Sequence, residues 1–259
     1  MTNYSTKTPV RSAHHDLHEN SPKENYQIYK KWLKLFDRNV FLSLGENCLS
    51  DNILDRNGLK SFSSPYASAR SNIEYALLFE KEQYSDFLNP EYLRKELFHS
   101  QTAVVRNKKY VELCNRYDRS VTNGFEFTHH NVLDNHTLRD TLRRRYKRML
   151  NLKKKHIVFL YHHRVCDQTD HNLLIDHLNQ FAEIYRSRGN TVSIYLYTQK
   201  IIPSSEERHV EYFCDRGIKC FVFFTHNEWS GNDPDILWAR CDDDLLHVMI
   251  DHMKGVQAL

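Results

Sequence analysis

Val40-Phe41-Leu42-Ser43-Leu44-Gly45-Glu46-Asn47-Cys48 is the stretch on which the reading of this chain turns. Its near-continuous apolar start reads as a buried strand, and Gly45 then permits a turn that other residues adopt only with strain. Leu49, Ile53 and Leu54 follow at helical spacing and Asn57-Gly58 is a left-handed stop, so a short helix begins directly after Cys48. A thiol placed there meets unpaired backbone N–H groups and the positive end of the helix dipole, both of which favour the thiolate. Strand, glycine turn, cysteine and helix form one unit whose expected product is a nucleophile, Cys48. Gly45 and the Asn47 amide, with the Cys48 backbone N–H, are the expected positioning or oxyanion groups.

Downstream, strand and helix patterns alternate with short connections. Leu138, Leu142, Tyr146, Met149 and Leu150 mark an amphipathic helix that leads into a strand at 156–161. Leu174, Leu178, Phe181 and Tyr185 mark the next helix, followed by strands at 191–197 and 218–224 and a closing helix at 245–253. Between the last two strands, residues 203–207 are expected to open a helix that Gly217 closes. Earlier, a helix is expected at 26–36, and a second after a Ser71/Glu74 capping box. Asn89-Pro90 is expected to open a third that stops near Phe98, and runs at 103–105 and 110–113 to form a hairpin. This order predicts an α/β fold: a Rossmann-like, mostly parallel sheet with helices on both faces. It is expected as a single domain over residues 25–259 behind a flexible, mobile N-terminal arm at 1–24, which is polar with little to bury.

Composition narrows the function classes. In 259 residues, 40% apolar suffices for a sizeable core, and a net charge of +3 gives little ground for nucleic-acid binding. No signal-type segment or membrane-length apolar run is present, so a cytoplasmic protein without a membrane span is expected. The six cysteines lack any C-x-x-C pair, which predicts reduced thiols, and sixteen histidines include no His-Glu-x-x-His; no metal or cofactor is expected. The acidic loop Asp233-Pro234-Asp235 with Asp242-Asp243-Asp244 reads as a solvated, helix-capping run.

In parallel sheets ligands gather beyond the carboxyl ends of the strands. That filter keeps Gly45, Asn47 and Cys48 after the first strand, His162 and His163 after the strand from 156, and residues 226–229 after the one from 218. A thiol nucleophile needs a base, usually histidine. Candidates are His129, which with His130 ends an apolar segment, His162, and the pair Asp244 and His247. The spacing Asp244-Leu245-Leu246-His247, with a nucleophile after the first strand, resembles the layout of the SGNH hydrolases, with cysteine in place of serine. Residues 139–155 carry nine cations against one acid, Asp140. They support the alternative of a non-catalytic glycan- or nucleotide-binding module that holds an anion.

Several segments taken in order resemble a bacterial family of unknown function named for papain-like cysteine peptidases. They are Ser43-Leu44-Gly45-Glu46-Asn47-Cys48 for its S-L-G-x-x-C motif, Ser63-Ser64-Pro65-Tyr66-Ala67-Ser68, Phe127-Thr128-His129-His130, and Arg143-Arg144-Arg145 ahead of a strand. Ala67, Ser68 and His130 stand where that family carries Asp, Trp and Asp. The resemblance implies Cys48 as nucleophile and His129 as base. Papain-like enzymes place the cysteine on a long helix and the histidine on an antiparallel barrel, whereas this chain reads as a doubly wound sheet. Gly45-Glu46-Asn47-Cys48 also resembles, with one inserted residue, the G-N-C motif of capsular-polysaccharide acetyltransferases. The expected function is thus a cysteine hydrolase or acyltransferase in bacterial surface-polysaccharide or cell-envelope biosynthesis. It would act on a small-molecule or glycan substrate, with an activated acyl group as donor.

Overall fold

The computed structural model describes residues 39–98, 102–112 and 124–255. The expected arm at 1–24 and helix at 26–36 lie outside them. In chain order the elements are β1 (Asn39–Gly45), α1 (Leu49–Arg56), α2 (Ile73–Lys81), β2 (Leu93–Phe98), β3 (Thr102–Asn107), β4 (Phe125–Phe127), α3 (His136–Leu150) and β5 (His156–His162). They continue with α4 (His171–Arg186), β6 (Thr191–Ile201), β7 (His209–Asp215), β8 (Ile218–Thr225), the short α5 (Pro234–Leu237), a 3-10 turn (Arg240–Asp242) and α6 (Asp243–Lys254).

Five strands form a mostly parallel sheet in the order β1-β5-β6-β8-β7, with β7 antiparallel at one edge. The strand ends gather on one side. The Glu46 N–H, just past β1, donates to the last carbonyl of β5 (His162 O, 3.4 Å), and the His163 N–H donates to Tyr197 O on β6 (3.0 Å). At the far side the Ile202 N–H, just past β6, donates to Thr225 O at the end of β8 (2.9 Å). β1 and β5 are buried beyond their first residue, which is why both read as continuous apolar runs.

Alternate positions of the sheet meet different helices. α4 lays Phe181 and Tyr185 against Phe159 of β5, at 5.2 and 5.1 Å between ring centroids. Phe159 pairs with Ile194 of β6, so the next positions, Tyr195 and Tyr197, face the other way. There they hydrogen-bond to His252 of α6 (3.0 Å) and Ser50 of α1 (3.0 Å). Each such ring contributes about 1.5–3 kcal/mol on full burial. A separate antiparallel sheet, β2-β3-β4, carries an ion-paired centre in which Arg106 meets Glu126 at 2.5 Å and Glu96 at 2.6 Å. Among the described residues no helix is long and apolar enough to cross a membrane.

Four expectations are corrected. Asn89-Pro90 opens a turn rather than a helix, and residues 93–98 are β2, paired antiparallel with β3 from Leu93↔Asn107 to Phe98↔Thr102. The hairpin partner of residues 103–105 is therefore this earlier strand, whereas residues 109–112 form a turn. The cap of α2 is Asn72, whose side chain accepts the Tyr75 N–H at 3.0 Å; Ser71 instead donates its hydroxyl to Asn72 O. Finally, residues 209–215 are the edge strand β7, which reaches β8 through Arg216-Gly217, both at positive φ (46° and 85°). That is a two-residue hairpin turn.

Candidate active site

The local sequence delivers Cys48 as the sequence implied. Gly45 has φ +108°, and a Cβ there would come no closer than 3.8 Å to Ser71, so backbone conformation and not crowding selects glycine. Cys48 is the N-cap of α1, and its carbonyl accepts the Asn52 N–H at 3.0 Å. Asn47 turns its Oδ1 to the Leu49 N–H at 3.0 Å, satisfying one helix-start donor. Its amide N–H groups are therefore the only oxyanion donors that this side chain offers.

Glu46, between the turn and the cysteine, is buried and ties three segments together. Its Oε2 accepts the Arg164 N–H at 2.7 Å, its carbonyl accepts the Ser71 N–H at 2.8 Å, and its N–H donates to His162 O at 3.4 Å. The carboxyl ends of β1 and β5 are thereby held beside the start of α1.

The half-buried thiol is not a resting thiolate. Burial pushes Cys48 above the usual cysteine value; its own backbone N–H pulls it back, Asp51 adds to the rise, and Arg70 and Arg164 oppose it. The favourable end of α1 is thus outweighed by desolvation.

The candidate bases occupy different surroundings. His129 is exposed on the turn after β4. That strand is bridged to the neighbourhood of the thiol, because Arg70 and Glu126 exchange backbone hydrogen bonds at 3.0 and 2.9 Å. Beside it, His130 is half-buried, and burial with the charges of Arg145 and His129 holds it below the usual histidine value. His162 is fully buried, stacked on Tyr197 at 4.8 Å and tilted against Trp229 at 5.9 Å. Burial, then Arg164 and His163, keep it well below the usual range and so neutral. Through Tyr197 it is joined to Ser50, two residues past Cys48.

Asp244 and His247 lie elsewhere. α1 spans eight residues, ~12 Å, and α6 meets its far end, where Arg56 binds Asp243 at 2.5 Å and Trp238 O at 2.6 Å. Asp244 pairs with Arg208 at 3.0 Å, and His247 Nδ1 is 2.5 Å from Asp243 O. The acidic run is consumed by such contacts, with Asp242 holding both Arg208 (2.6 Å) and the Trp229 indole N–H (2.7 Å). Among the described residues, no three His, Cys, Asp or Glu side chains gather as a metal set.

Much of the basic face of α3 is also engaged within the chain. Arg139 holds the Val132 and Leu133 carbonyls, Arg143 pairs with Asp140 at 2.9 Å, and Arg148 lies over the Phe62 ring at 4.9 Å. Glu46, Arg70 and Arg164 were not singled out from the sequence. Glu46 stood inside the motif, Arg70 reaches the thiol only through the fold, and Arg164 followed His162-His163 at a strand end, where the topological filter alone would have kept it.

Fold and site together define a mixed α/β protein with a cysteine at the carboxyl edge of its main sheet. The family described as putative papain-like cysteine peptidase (DUF1796) matches residues 39–199, more than half of the 259, and the chain belongs to it. No curated protein and no solved structure matches the chain.

Proposed function

We propose that the chain is a cysteine-dependent hydrolase or acyltransferase in which Cys48 is the nucleophile and His129 its base. The base takes the thiol proton as sulfur attacks an acyl, ester or amide carbonyl, and the Asn47 amide and Cys48 N–H meet the developing oxyanion. Collapse expels the alcohol or amine, which takes the proton, and leaves a thioester on Cys48. Water or an acceptor hydroxyl then attacks that thioester, regenerates the thiol and releases the acid or the transferred acyl product.

The observation that carries this reading is the half-buried Cys48 at the start of α1, beyond the end of β1, with Arg70 and Arg164 acting on it. A thiol kept protonated at rest suits a base that works only when substrate arrives. Strand order, with the site at the carboxyl edge, supports a Rossmann-like fold. The resemblance of residues 45–48 to the G-N-C motif supports an acyl group on a surface glycan or its precursor as substrate, inside the cell. Engagement of the α3 cations within the chain weighs against a purely anion-holding module.

The test is intact-protein mass spectrometry after mixing with p-nitrophenyl esters and acyl thioesters. An acyl mass on Cys48, abolished by Cys48→Ala and slowed in deacylation by His129→Asn, is expected. Turnover that survives Cys48→Ala, or an adduct only on another residue, overturns the proposal.

A further inference from the structure

A small cleft of about 40 Å³ opens at the carboxyl ends of three strands, lined by His162, Arg164, Gln199, Glu228 and Trp229 among others. Its polar groups are unequally committed. The Gln199 amide donates to Thr225 Oγ1 (2.6 Å) and Asn227 O (2.7 Å), while its carbonyl accepts the Trp229 N–H (3.0 Å). Glu228 also has a partner. By contrast, Arg164 is fixed through its backbone N–H on Glu46, and among the described residues its guanidinium meets no carboxylate. His162, only 2% exposed, keeps a buried Nδ1 without any hydrogen-bond partner among the described residues. His162, with its buried Nδ1, and Arg164, with its uncommitted guanidinium, line the same cleft, and the desolvated ring nitrogen is costly unless a partner reaches it.

The cleft adjoins the candidate nucleophile. The Arg164 backbone N–H is bound by Glu46, two residues before Cys48, the Arg164 charge acts on the thiol, and Tyr197 links His162 to Ser50, two residues after it. Its volume is that of about three waters, room for a head group but not for a whole substrate.

We propose that this cleft is an anion subsite in which Arg164 receives a carboxylate or phosphate carried by the substrate beside the bond that Cys48 attacks. The guanidinium fork suits either oxyanion, and neutral His162 in its Nδ1–H tautomer donates a second hydrogen bond. The substrate class is then an acyl compound with an anionic group next to the reacting carbonyl, an assignment that rests on Cys48 being the nucleophile.

The test separates the two claims by using full-length Cys48→Ala protein, in which binding does not depend on the thiol. The Trp229 indole N–H signal is followed by NMR during titration with inorganic phosphate and, separately, succinate at constant ionic strength. A saturable shift with at least one of them is expected, and the tighter anion identifies the source. Arg164→Gln should weaken binding about tenfold or more, whereas Arg164→Lys keeps part of it and Arg143→Gln, on the exposed face of α3, leaves it unchanged. Absence of saturation with both anions, or equal affinity in Arg164→Gln, overturns the subsite. Failure of the nucleophile instead appears as a missing acyl adduct on Cys48 in the wild type.

Discussion

The Arg164 backbone N–H donates to Glu46 Oε2 at 2.7 Å, so a buried carboxylate beside the nucleophile fastens the end of a neighbouring strand. Glu46→Ala removes that acceptor and leaves the N–H without its partner. A loss of about 1–3 kcal/mol in urea-unfolding stability is expected, with acyl transfer to Cys48 falling more steeply than the folded fraction. Glu46→Gln, which keeps an oxygen acceptor, should recover most of the stability. Equal stability of Glu46→Ala and the wild type would show that the link is dispensable.

What the sequence made legible follows from how each signal arises. β1, Cys48 and α1 were readable because a buried strand shows as a continuous apolar run and Asn57-Gly58 marks a helix stop locally. Residues 93–98 were not. Leu93 and Leu97 suit a helix as well as a strand, and pairing with β3, including the Glu96–Arg106 contact at 2.6 Å, decided between them. Gly217 was ambiguous for a different reason, since a positive-φ glycine serves a helix stop and a tight hairpin alike. At the site, the position of Cys48 was local, but its charge environment was not. Arg70 and Arg164 reach it through tertiary contacts that no spacing encodes, and burial reverses the expected shift of the thiol.

That reversal gives a prediction for labelling. With Cys48 held above the usual thiol range, its alkylation by iodoacetamide should accelerate with pH to a midpoint above that of a free cysteine. Asp51 contributes to the rise, so Asp51→Asn should lower the midpoint and speed labelling at neutral pH. Peptide mapping separates Cys48 from Cys241, which burial and then Asp242 push up to about 11. A midpoint unchanged in Asp51→Asn would refute the electrostatic account.

Two adjacent histidines set an acid limit. Burial keeps His162 neutral well below the usual value, and burial with His171 lowers His163 to about 4. Both values are depressed relative to about 6.5 in the unfolded chain, so the stability they contribute is present above pH 6.5 and lost as pH falls. For His163 that loss runs from 6.5 towards 4 and amounts to about 3 kcal/mol. His163→Asn should flatten the acid side of a stability profile measured by urea unfolding. A profile of unchanged slope between pH 6.5 and 4 would show that His163 does not titrate on unfolding.

Glu80 gives the opposite sign. Its side chain is fully buried between α2 and α4, hydrogen-bonded by Tyr185, by Tyr84 at 2.9 Å and by Arg188 at 3.2 Å. Burial raises its carboxyl above 4.5, while the Tyr185 hydroxyl, the Arg188 charge and the Tyr84 hydroxyl hold the rise in check. The folded state therefore binds the proton more tightly than the unfolded chain. Its contribution to stability is full below pH 4.5 and is lost as pH rises through the folded value. Glu80→Gln keeps the shape and cannot ionise, so wild-type minus variant stability isolates this group. That difference should decline with rising pH, at no more than about 1.4 kcal/mol per pH unit, and then level off once pH has passed the folded value. The plateau reports the ionised network, in which Arg188 repays part of the cost of burying the charge. A difference that rises with pH would mean that Arg188 and the two tyrosines stabilise the carboxylate more than burial penalises it.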